Sequence, residues 1–199
     1  MKYFWILILV TVISIILAIS CKDNFTIKQT TSRAWNGLCL FDIDGTLTTG
    51  IDNEKSVELC LQAGYAVGIT TSGAMYTPDN LMNFTWMPKN LYDFMEKHEF
   101  NTFNNVASNI ITGKYDPSIY QDIRKRFWGR HEMWGILKGK SLVVTANLYD
   151  INHKNIVLFD NDPGFLDGLS MYNPDIKGVC AGNPCGPVMT PQTVYNALH

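Results

Sequence analysis

The sequence predicts a three-layer α/β domain, with a central parallel sheet between two layers of helices. Three observations predict it. Leu38-Cys39-Leu40-Phe41 carry no polar side chain on either face, as a strand buried on both sides requires. Tyr65-Ala66-Val67-Gly68-Ile69 and Ile156-Val157-Leu158-Phe159 repeat that pattern. One helix-length segment separates the first two runs, which makes a β-α-β unit and hence parallel strands. Each run ends in acids or hydroxyls, and the carboxyl ends of such strands are where open α/β sheets bind ligands.

The chain has 199 residues, enough for one domain and a short appendage. A core of that size needs no metal or disulfide staple. A formal net charge of -2 excludes the basic field that draws proteins to nucleic acid. Aromatic residues make up 12% of the chain, which argues against disorder. No repeat or low-complexity tract is present, and nothing indicates an oligomeric state.

Residues 1–20 read as a targeting or anchoring segment. Lys2 is the only charge, and Tyr3 to Ile19 is almost wholly apolar. Two readings stay open: a signal peptide cleaved before Cys21, after the small residues of Ala18-Ile19-Ser20, or an uncleaved membrane anchor. Both place the domain on the secretory route, secreted or membrane-anchored. Lys22, Lys28 and Arg33 favour the opposite orientation, with an anchored domain facing the cytosol. The sequons Asn24-Phe25-Thr26 and Asn83-Phe84-Thr85 fit a secretory route. Residues 21–35 are polar and read as a linker, and residues 36–199 as the globular domain.

The first strand runs directly into Asp42-Ile43-Asp44-Gly45-Thr46-Leu47-Thr48. If the strand geometry persists, Asp42 and Asp44 point the same way, and Gly45 lets the chain turn. Two carboxylates so close suit two jobs: attack on an electrophile and proton transfer. Their mutual repulsion makes a divalent cation at the site reasonable.

That stretch resembles motif I of the haloacid dehalogenase (HAD) superfamily in its phosphatase form. The resemblance implies a Rossmann-like core and an aspartyl-phosphate formed on Asp42. It makes Asp44 the general acid/base. It also implies a Mg²⁺ ion held by the Asp42 side chain and the Asp44 main-chain carbonyl. Members of the superfamily that pump ions have Thr at the second acidic position, so Asp44 favours ester hydrolysis.

The later elements follow in order. Asn53 to Ala63 reads as a helix that stops at Gly64. The second strand ends in Thr70-Thr71-Ser72-Gly73, similar to HAD motif II, with Thr70 as the phosphate-binding hydroxyl and Thr71 the alternative. So short a gap between the two motifs leaves room for one helix, which implies a small cap or none. Any lid comes from residues 74–136. There, Leu91 to His98 reads as a helix, Phe103 to Ile111 holds a third strand, and Asp116-Pro117 starts a helix with Ile119, Ile123 and Phe127 on its apolar face. The many aromatics of this segment, Tyr76, Phe84 and Trp86 among them, read as packing.

Lys138-Gly139-Lys140-Ser141-Leu142 resembles motif III, with Lys138 at or just before a helix; Lys140 and Lys114 are the alternatives. A cation there can neutralise the attacking carboxylate and a phosphate together. Asn155 to Asp162 resembles motif IV, which makes Asp160 a further Mg²⁺ ligand. Asn161 departs from the frequent second acid, and Asp162 or Asp167 is left to compensate. Asp175 to Cys180 reads as a last strand, and Thr190-Pro191 caps a helix through Leu198. Cys180 and Cys185 could pair in an oxidising compartment, whereas Cys39 and Cys60 read as buried thiols. The resemblance as a whole implies Mg²⁺-dependent hydrolysis of a small-molecule phosphate monoester. A phosphotransferase using the same intermediate and a catalytically weak binding protein on the HAD scaffold are the alternatives.

Overall fold

The apolar run of Leu38 to Phe41 forms the middle of strand β1 (Gly37–Phe41), buried along its whole length. The computed structural model describes residues 34–115, 127 and 129–199, all within one compact unit, Ala34–His199. Residues 1–20, the sequon at Asn24, most of the linker and the helix expected from Asp116-Pro117 lie outside the described residues. So do Ile119 and Ile123.

The remaining strands are β2 (Tyr65–Thr71), β3 (Phe103–Asn105), β4 (Ile110–Ile111), β5 (Lys114–Tyr115), β6 (Ile156–Asp160) and β7 (Lys177–Cys180). The helices are α1 (Asn53–Gln62), α2 (Lys89–Lys97), α3 (His131–Leu148), α4 (Pro163–Tyr172) and α5 (Pro191–Leu198). Short 3₁₀ turns cover Pro78–Asn83 and His153–Asn155.

The strand order is β5-β4-β3-β2-β1-β6-β7. Strands β3, β2, β1, β6 and β7 run parallel. Strands β4 and β5 extend the β3 edge antiparallel. The sheet is therefore mixed, not wholly parallel as the sequence suggested. The span read as one strand, Phe103 to Ile111, splits into β3 and β4 around a turn. That turn is held by Asn105, whose Oδ1 accepts from the backbone N of Ala107 (3.1 Å) and Ser108 (3.0 Å).

Helices α3 and α4 pack against each other, and α1 packs with α2 and α5. Since β1 is buried on both faces, these two groups cover opposite faces of the sheet. Among the described residues no helix is long and apolar enough to cross a membrane. Trp35 packs edge-on against Phe94 with ring centroids 5.3 Å apart. The sequon at Asn83 sits at an exposed position.

The core centres on the register of β1 with its two neighbours. Phe41 pairs with Ile69 on one side and Phe159 on the other. The Phe41 and Phe159 rings stack with centroids 5.1 Å apart, and both residues are fully buried. Replacing Phe41 with Ala should cost about 3–5 kcal/mol, the usual range for emptying a buried aromatic site. Denaturant midpoints of the variant and parent check this; equal midpoints would contradict the packing.

Candidate active site

The β1–β6 pairing extends one residue beyond β1, where the Asp42 N–H donates to the Phe159 carbonyl at 2.9 Å. There the strand stops. Leu47 N–H donates to the Asp42 carbonyl (3.3 Å) and Thr48 N–H to the Ile43 carbonyl (3.0 Å), closing a wide turn over Ile43–Leu47. Gly45 lies in this turn at φ 79°, a region that L side chains avoid. Its N–H donates to Thr48 Oγ1 (2.8 Å), and its carbonyl accepts from Thr49 Oγ1 (2.6 Å). The turn begins at Ile43, between the two acids, so the strand alternation that would align their carboxylates ends before Asp44. Asp42 is buried and meets Lys138; Asp44 is exposed and meets Tyr76.

Lys138 is the central cation. Its ammonium donates to Asp42 Oδ1 at 2.7 Å and to Asp160 Oδ2 at 2.6 Å, with no solvent exposure. It also lies 4.6 Å from the centre of the Phe165 ring, a cation–π contact. Lys138 sits inside helix α3, not at or before its start as the sequence suggested. The helix begins at His131, because the apolar pattern runs back through Met133, Trp134 and Ile136. Lys140 and Lys114, the alternatives, are both exposed.

One ammonium faces two buried carboxylates, so one negative charge is unmatched. Burial raises the Asp42 carboxyl well above the ordinary carboxylate value; Lys138 opposes this and Asp160 adds to it. Burial alone would drive the Lys138 ammonium towards neutrality. Asp160 and Asp42 outweigh that, and its pKa lies above the usual lysine value. Among the described residues no group of three or more His, Cys, Asp or Glu is placed to hold a metal. Asp42 and Asp160 supply two carboxylates at the carboxyl ends of neighbouring strands.

Thr70 lies in β2 beside Asp42, one residue beyond the Phe41–Ile69 pair. It is fully buried, and its hydroxyl shares a hydrogen bond with Ser141 Oγ on α3 (3.3 Å). The Thr71 hydroxyl accepts from Gly73 N–H (3.0 Å) and shapes the following loop. Neither hydroxyl bonds to Asp42. Asp162 caps α4, accepting from the Gly164 (2.9 Å) and Phe165 (3.2 Å) N–H groups, and its other oxygen meets His131 Nδ1 at 2.5 Å. Asp167 is exposed on α4. Neither acid joins the Lys138 pair.

Asn161 explains its own departure from an acid. Its Nδ2 donates to the Asn183 carbonyl (2.8 Å), and its main-chain carbonyl accepts from Cys185 N–H (3.2 Å). A carboxylate has no proton to give Asn183. The loop so held is closed by a disulfide between Cys180 and Cys185, while Cys39 and Cys60 are free and buried. At Gly182, φ is 126° and a Cβ would lie 2.1 Å from the Gly45 carbonyl. The disulfide loop therefore rests directly on the turn that carries Asp42 and Asp44.

Tyr76 is the contact of Asp44 that sequence reasoning missed, having placed it among the packing aromatics. Its hydroxyl donates to Asp44 Oδ1 at 2.5 Å. Burial, then the Asp44 contact, raise the phenol above the usual tyrosine value. No local signal marks this residue, because the contact spans 32 positions of sequence. No family model, curated protein or solved structure matches the chain.

The charge imbalance makes stability pH-dependent. Asp42 keeps its proton in the folded state to higher pH than in the unfolded chain, so stability falls as pH rises above the ordinary carboxylate range. Asn cannot titrate. Asp42→Asn should therefore gain stability relative to the parent between about pH 4 and 8, the span from the ordinary carboxylate value upward. Melting temperatures across that range check it; a constant offset would contradict the charge analysis.

Proposed function

We propose that this chain is a phosphohydrolase of HAD type that cleaves phosphate monoesters of small molecules through an aspartyl-phosphate on Asp42. The observation that supports it most is the buried Lys138 ammonium shared by two strand-end acids, Asp42 and Asp160. Motif I, read from the sequence, and the parallel core strands support the same reading.

Asp42 attacks phosphorus in line, and its O–P bond forms as the ester O–P bond breaks. Asp44 gives its proton to the leaving oxygen. Asp44 then takes a proton from water as the water oxygen bonds to phosphorus and Asp42 is released. Lys138 offsets charge on Asp42 and on the phosphoryl oxygens. Thr70 is the hydroxyl proposed for the phosphate, which requires it to leave Ser141.

A Mg²⁺ ion fits this site, since the donors are hard oxygens and one negative charge is unmatched. The side chains of Asp42 and Asp160 and the main-chain carbonyl of Asp44 would hold it, and it would supply charge neutralisation at the phosphoryl group. Asn161 does not count against catalysis, because its amide has a structural partner in Asn183. The Cys180–Cys185 bond favours an oxidising compartment. That accords with the secretory route, by signal peptide or anchor, proposed for residues 1–20. We place the substrate outside nucleic acid, on the grounds of net charge.

The test is phosphate release from a panel of monoesters by the purified domain. We expect EDTA to abolish turnover and Mg²⁺ to restore it. Asp42→Asn and Asp44→Asn should each lower kcat by about a hundredfold or more. Full turnover in chelator would overturn the metal; full turnover by Asp42→Asn would overturn the mechanism.

A further inference from the structure

We propose that Tyr76 is the positioning residue for Asp44: its hydroxyl engages Oδ1, leaving Oδ2 as the atom that gives and takes the proton. This rests on the phosphohydrolase reading.

The contact itself is direct, Tyr76 Oη donating to Asp44 Oδ1 at 2.5 Å. Asp44 is exposed and lies in a turn, so without a partner its side chain would sample several rotamers. Tyr76 is the opposite, with 4% of its surface exposed. Its ring meets Phe84 and Trp86 edge-on at 5.3 and 5.7 Å, and those two rings stack on each other at 5.2 Å. A rigid phenol thus presents one hydroxyl to a mobile carboxylate.

The backbone that carries Tyr76 is held as firmly. Asn105, fully buried at the end of β3, donates from Nδ2 to the carbonyls of Tyr76 (2.8 Å) and Gly73 (2.7 Å). Its Oδ1 accepts from Ala107 and Ser108, so the whole carboxamide is used. Ser108 Oγ donates to the Ala74 carbonyl at 2.8 Å. The same loop flanks the second Asp44 oxygen: a Cβ on Gly73 would lie 2.7 Å from Oδ2. The loop after β2 therefore holds Oδ1 by a hydrogen bond and leaves Oδ2 beside Gly73, where only a glycine gives it room. That loop is tied to β3, next to β2 in the sheet.

The proton balance is simple. In the first half-reaction the proton on Oδ2 passes to the ester oxygen as its bond to phosphorus breaks. In the second, a water proton passes to Oδ2 as the water oxygen bonds to phosphorus and the bond to Asp42 breaks. Tyr76 keeps its own proton throughout.

Tyr76→Phe tests this, because it keeps the ring against Phe84 and Trp86 and removes only the hydroxyl. In protein carrying ¹³C-carboxyl aspartate, the Asp44 signal, identified by its loss in Asp44→Asn, should move in Tyr76→Phe. On an alkyl phosphate, whose leaving oxygen needs a proton, kcat should fall about tenfold or more with KM nearly unchanged. On an aryl phosphate with an acidic phenol, the first-turnover release of phenol, which needs no proton from Oδ2, should slow by no more than about threefold. An unmoved Asp44 signal overturns the contact. Equal slowing of the first turnover on both esters overturns the positioning role and leaves Tyr76 as packing. A moved signal in Tyr76→Phe, with a parent protein that hydrolyses neither ester, overturns the phosphohydrolase reading, and the proton-transfer role with it, while the contact stands.

Discussion

A single buried ammonium between two carboxylates is the constraint on which the rest of the structure depends. Charges without solvent are costly, and removing one partner of such a group leaves the others uncompensated. Lys138, Asp42 and Asp160 can meet only if β1 and β6 are neighbours in register and α3 lies across their carboxyl ends. The pairing of Phe41 with Phe159 supplies the first condition. A polar seam along α3 supplies the second. Ser141 Oγ donates to the Lys138 carbonyl (2.7 Å) and meets Thr70, and Thr145 Oγ1 accepts from Asn104 Nδ2 on β3 (3.0 Å). These groups are buried and satisfied, so they fix the rotation of α3 and with it the direction of the Lys138 stem.

Two loops then hold the turn after β1 from different directions. The disulfide loop after β7 rests on Gly45 through Gly182 and Asn161. The loop after β2 reaches Asp44 through Tyr76. Asp42 is thereby set by the core and Asp44 by the loops. The two acids differ in burial accordingly, as the proposed roles of fixed nucleophile and water-accessible proton carrier require.

Much of this was legible in the sequence, for identifiable reasons. The runs Leu38 to Phe41, Tyr65 to Ile69 and Ile156 to Phe159 are buried on both faces, so their composition alone marked the parallel core. Asp42 and Asp160 stood out as acids ending such strands, whereas Lys138 was marked by a resemblance to motif III that left Lys140 and Lys114 open. The edge was not legible. Strands β4 and β5 are two residues each, too short for any period, and their antiparallel course depends on Asn105 folding a turn back. Tyr76 was hidden for a related cause: an aromatic that packs and donates at once looks like one that only packs. The separation of Asp42 from Asp44 depended on the turn that starts at Ile43, where continued alternation would have aligned them.

The central claim is that Asp42 is the atom donor to phosphorus and Asp44 its proton partner. The most direct measurement is intact-protein mass spectrometry after rapid acid quench, with an ester whose leaving group needs no proton. The account predicts that Asp44→Asn gains the mass of one phosphoryl group, that peptide mapping places it on Asp42, and that Asp42→Asn never gains it. A phosphoryl group persisting in Asp42→Asn would place the nucleophile elsewhere and contradict the account.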